Sequence, residues 1–92
     1  MVDALRSRLR ASEVTIQTTA TAIPSTALTG RTSLVIKNTG SNTIYLGASD
    51  VTTAAGYPLA VNAELSLDIG ESLILYGIVA SGTETVRILE GV

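Results

Sequence analysis

The sequence predicts an all-β chain: a small antiparallel β-sandwich or jelly-roll-like barrel carrying an N-terminal arm or short helix. Three observations lead there. Apolar and polar residues alternate over short stretches, turn chemistry returns about every ten residues, and helical spacing is confined to the start of the chain.

Met1–Arg10 has Val2, Leu5 and Leu9 at helical spacing, and Arg6, Arg8 and Arg10 beside them. A helix this short is marginal in water, so the segment is expected to order only on a neighbour's acidic surface. Val2, Leu5 and Leu9 would then be buried while Arg6, Arg8 and Arg10 supply the charge. Over Glu13–Thr19, Val14 and Ile16 alternate with Thr15 and Gln17, which reads as a half-buried strand. Thr18–Thr29 is rich in Thr and Ala and reads as an extended connection or edge strand, because Pro24 cannot donate to a ladder. Thr32–Asn38 and Thr43–Leu46 read as strands around the turn residues Asn38–Asn42. Together they suggest a hairpin, with Gly40 supplying a positive φ.

Gly47–Gly56 is a polar loop that Tyr57-Pro58-Leu59 closes. Glu64–Ile69 alternates Leu65, Leu67 and Ile69 with Glu64, Ser66 and Asp68, and Gly70-Glu71 is the next turn. Ser72–Ala80 is apolar on both faces, with Leu73, Leu75 and Val79 on one and Ile74, Tyr76 and Ile78 on the other. Such a strand is either central or has its second face against another chain. Ile74, Tyr76 and Ile78 are therefore the expected subunit interface, and Gly77 between them signals a bulge or a close backbone approach. Thr85–Glu90 is the last strand, with Val86 and Ile88 inward and Arg87 outward. The chain thus divides into an arm (1–12), a strand with its extended connection (13–30) and a sandwich (31–92).

Composition narrows the chemistry. Cys and His are absent, which removes thiol, disulfide and imidazole chemistry from the chain itself. A net charge of −2 and three tyrosines as the only aromatic residues do not suit a nucleic-acid binder. No apolar run approaches the ~20 residues of a membrane span. Hydrophobic residues make up 46% and charged residues 15%, an oily balance that calls for cover by a partner. Glu64 and Asp68 sit on one outward strand face as solvating charges. Asp50 suits an Asx-turn, and one carboxylate in its loop is thin for calcium. Asp50 and Tyr57 remain a possible ligand loop for a carbohydrate- or receptor-binding module. No catalytic residue, cofactor or metal is expected.

From Arg31 to Glu90 the turn and core residues form a recognisable pattern. It comprises Asn38 and Gly40, Ile44–Gly47 with Ser49 and Val51–Thr52, Gly56 with Pro58–Leu59, Gly70–Ser72, and Ser81–Thr83 with Val86, Leu89 and Glu90. This pattern resembles small β-sandwich accessory structural proteins of tailed bacteriophages, of the decoration, head-fibre or collar type. The resemblance implies a virion component without enzymatic activity, assembled in the bacterial cytoplasm. It would be a homo-oligomer, with a trimer the expected number, and would dock on the major capsid protein or another virion protein. Neither nucleic acid nor membrane is an expected partner.

Overall fold

The computed structural model describes residues 8–92, and among them every regular element is a strand. The strands are β1 (Leu9–Ile16), β2 (Thr21–Ile23), β3 (Ser33–Asn38), β4 (Ile44–Gly47), β5 (Tyr57–Leu59), β6 (Glu64–Leu67), β7 (Leu75–Ile78) and β8 (Glu84–Gly91). They form two antiparallel four-stranded sheets, ordered β1-β8-β3-β6 (sheet A) and β2-β7-β4-β5 (sheet B). The pairs β1/β8, β2/β7, β3/β6 and β4/β5 describe one long hairpin rolled up on itself, which is jelly-roll topology.

The core is the seam between the sheets. Leu34, Ile36, Val86 and Ile88 come from sheet A, and Ile23, Ile44, Leu46 and Leu59 from sheet B; all are buried, as are Ile16 and Val79. Period-2 alternation sends these residues inward, because successive side chains leave a strand on opposite faces. Burying one such side chain contributes about 1.5–3 kcal/mol.

Three expectations are corrected. β3 and β4 do not form a hairpin: they lie in different sheets, and residues 39–43 cross between them. The crossing is held by Asn38, whose Nδ2 donates to the carbonyls of Asn42 (2.8 Å) and Leu59 (3.0 Å). Nor does Gly40 supply a positive φ; Gly30 and Gly82 are the glycines that have one. Gly40 is needed for space, since a Cβ there would stand 1.9 Å from Oε1 of Glu84.

The third correction concerns the arm. Leu9–Ser12 belong to β1, paired in register with Gly91–Ile88, so helical spacing does not govern them. The reason is an eight-residue edge on β8 that satisfies the whole of β1's ladder. Val2, Leu5 and Arg6 lie outside the described residues.

Candidate docking surface

The two sheets present different outer faces. In an antiparallel pair, directly opposed residues share a face. On sheet A this aligns Glu13, Arg87, Lys37 and Glu64 in one row across the four strands. Nε of Arg87 donates to Oε2 of Glu13 at 3.0 Å. On sheet B the same rule places Ala22 beside Tyr76 and Gly47, and Tyr45 between Ile78 and Pro58. No charged residue occurs in β2, β4, β5 or β7.

The expected interface residues fall as follows. Tyr76 and Ile78 are half-buried on this uncharged outer face, and Ile74 lies just before β7 at its margin. Tyr45, Ala22 and Pro58 join them; no local pattern groups these residues, because the β2–β7, β4–β7 and β4–β5 registers pair segments far apart in the chain. Gly77 faces inward. A Cβ there would lie 2.8 Å from Cδ1 of Ile23 and 3.3 Å from Cγ2 of Ile44, so the close approach expected of this glycine is to core side chains.

Asp50 is exposed in the loop after β4, and Tyr57 is 61% exposed at the start of β5. Tyr57 borders a groove with Leu46, Leu65, Leu67 and Leu75, and Asp50 is not among the residues lining it. A leucine-walled groove lacks the placed polar groups that fix a sugar's orientation.

Of the expected arm, Arg8 donates to the carbonyl of Thr29 and Leu9 is 75% exposed. Arg10 is half-buried, and its Nε donates to Oε1 of Glu90 at 2.9 Å. This contact belongs to a cluster that sequence reasoning missed. Glu90 Oε2 accepts from Nη1 of Arg31 (2.9 Å) and from the Leu28 N–H (3.0 Å), and both side chains of the Arg31–Glu90 pair are fully buried. Nη2 of Arg31 also donates to the carbonyls of Gly70 (3.0 Å) and Leu73 (2.7 Å). One end of the sandwich is thus tied together by β1, β8 and the segments 28–31 and 70–73. Burial pushes the Glu90 carboxyl pKa up, but the Leu28 N–H, Arg10 and Arg31 outweigh it and hold the value below the ordinary one.

The opposite end of β8 has a second inward carboxylate. Glu84 accepts from the Ser41 N–H (2.9 Å) and from the side chains of Ser41 and Asn42, and these bonds lower its pKa. A signal for both was present: Glu84, Val86, Ile88 and Glu90 share one phase of the alternation.

These clusters are saturated by protein groups and brace the ends of the sandwich. Among the described residues, the outer face of sheet B and the groove beside Tyr57 are surfaces open to a partner. In comparison with known proteins, the chain matches no family model and no curated sequence.

Proposed function

We propose that the protein is a non-enzymatic structural component of a tailed-bacteriophage particle, a decoration or head–tail accessory protein that docks as a homo-oligomer. The observation that carries this reading is the uncharged outer face of sheet B, formed by Ala22, Tyr45, Pro58, Tyr76 and Ile78. Aromatic and aliphatic side chains without charge suit the desolvated centre of a subunit contact. The particle assignment rests on the turn and core residues between Arg31 and Glu90 that resemble virion accessory sandwiches. Its partner would be the major capsid protein or another virion protein, and its location the virion. Val2, Leu5, Arg6, Arg8 and Leu9 are proposed to assist docking, whereas Arg10 is held within the protein by Glu90.

The test couples assembly to attachment. Sedimentation should show a mass above the monomer, and Tyr76→Asp with Ile78→Asp should reduce it while the β signal in circular dichroism persists. A tagged chain should co-purify with particles. An unchanged mass in the double variant would remove sheet B from the interface, and absence of the tag from purified particles would overturn the virion assignment.

A further inference from the structure

The four sheet edges of the sandwich differ. β2 and β5 are three residues long and β6 is four, and β5 carries Pro58, which has no N–H to offer a further strand. β1 is eight residues long and contains neither proline nor glycine. On one side it pairs with β8 from Leu9 to Ile16. The Val92 N–H donates to the Arg8 carbonyl at 3.1 Å, which fixes the alternation: Arg8, Arg10, Ser12, Val14 and Ile16 turn their backbone groups toward β8. The N–H and C=O groups of Leu9, Ala11, Glu13 and Thr15 point the other way, and among the described residues no strand pairs with them. Arg10 reaches the Thr26 carbonyl with a side chain that shares the inward phase of Glu90, so this contact leaves the edge open. Beside the edge, a cleft of about 460 Å³ separates β1 from β2, and Ser12 lines it. The Ser12 hydroxyl is the one buried side-chain oxygen or nitrogen without a hydrogen-bond partner among the described residues.

We propose that β1 pairs antiparallel with β1 of a second copy across a twofold axis at Ser12, joining two A sheets into one. The free backbone groups set the register. Centred on Ser12, Leu9 meets the second copy's Thr15, and Ala11 meets its Glu13, so all four residues exchange hydrogen bonds with their opposites. Centring on Glu13 sets two carboxylates against each other, and centring on Ala11 carries Thr15 beyond the start of β1. In the Ser12 register no like charges are directly opposed, because Arg10 faces Val14 and Glu13 faces Ala11. The two Ser12 residues form the central non-hydrogen-bonded pair, where Cα atoms stand about 4.5 Å apart. A turn about each Cα–Cβ bond brings the two hydroxyls together and gives the orphan its partner. Self-complementarity selects a second copy over an unrelated strand: the unsatisfied hydroxyl lies at the centre of the one twofold register that uses every free group. This contact is separate from the one proposed for sheet B and owes nothing to the virion reading.

The chain has no cysteine, so a single introduced one reports the register directly. Ser12→Cys should cross-link two copies under oxidised glutathione, since the distance across the axis suits a disulfide. Thr15→Cys is the control: the two copies of that residue would stand about 20 Å apart. The cross-linked yield should be at least about fivefold higher for Ser12→Cys. Sedimentation of the unmodified full chain should show at least twice the monomer mass as concentration rises. Ala11→Pro removes an N–H that β8 does not use, and should weaken this association at least about tenfold while circular dichroism keeps its β signal. Tyr76→Asp with Ile78→Asp should leave the Ser12→Cys cross-link intact, so the edge and the sheet B contact are read separately. Equal yields for Ser12→Cys and Thr15→Cys would overturn the proposal. So would a chain that stays monomeric, or an association that a folded Ala11→Pro variant retains in full.

Discussion

The strands of sheet A carry Arg10, Glu13, Lys37, Glu64, Glu84, Arg87 and Glu90, whereas those of sheet B carry no charge at all. Both sheets contribute inward side chains to the same core. The difference lies in what else each is asked to do. Sheet A turns a charged row to solvent and uses two inward carboxylates to brace the ends of the sandwich. Sheet B presents tyrosines, isoleucine and proline outward, where solvation alone would favour charges. One sheet therefore supplies solubility and end closure, and the other supplies a surface that gains by being covered.

The comparison breaks hardest at Glu90. Glu90→Gln removes the anion from a pair in which Arg31 is fully buried, leaving that guanidinium uncompensated. Breaking a buried pair in this way costs about 3–5 kcal/mol. Urea denaturation should show the loss as a lower midpoint with an unchanged slope. A loss under about 1 kcal/mol would mean that the Gly70 and Leu73 carbonyls suffice for Arg31.

Within sheet B the most sensitive inward position is Gly77. Gly77→Ala adds one methyl group against Ile23 and Ile44 and should cost about 1–3 kcal/mol by overpacking. Alanine at Ala22's neighbour across the strand, Tyr76→Ala, faces outward and should cost the isolated fold less. Thermal melts of the two variants separate core from surface on one strand. Equal losses would mean that Tyr76 also supports the fold.

Acid sharpens the contrast, because only sheet A has strand carboxylates. The folded-state pKa values of Glu84 and Glu90 lie below the ordinary 4.5. Their stabilisation is therefore fully present above the unfolded value and is lost as pH falls through the folded values. With no histidine in the chain, stability should be nearly flat from about pH 6 to 8 and should decline below about pH 4.5. Glu90→Gln should flatten part of that acid decline. An undiminished decline in this variant would place its origin elsewhere.

What could be read in advance follows the range of the forces involved. Alternation and turn residues act over a few positions, so the strand content, the inward phase of Leu65 and Leu67, and the double-faced apolar segment around Tyr76 were all legible. Strand partners were not. Asn38–Asn42 has the chemistry of a hairpin turn, yet β3 and β4 pair with strands far along the chain. The same gap hid the uncharged outer face of sheet B, since only the β4–β7 register brings Tyr45 beside Ile78. The buried pairing of Arg31 was not legible, because its partner Glu90 lies 59 positions away.

The smallest expected effect concerns the charged row of sheet A. Arg87 and Glu13 are bonded at 3.0 Å, but their side chains remain 67% and 52% exposed. Water already solvates both ions, so closing the pair gains little. Exposed pairs contribute about 0.2–1 kcal/mol, and salt screens them. A double-mutant cycle with Arg87→Ala and Glu13→Ala should give a coupling in that range at low salt and less at high salt. The fully buried Arg31–Glu90 pair should keep its effect across the same salt series, because screening ions do not reach it. A coupling above about 2 kcal/mol for the exposed pair would contradict the solvating role assigned to this face and make the row a structural element of sheet A.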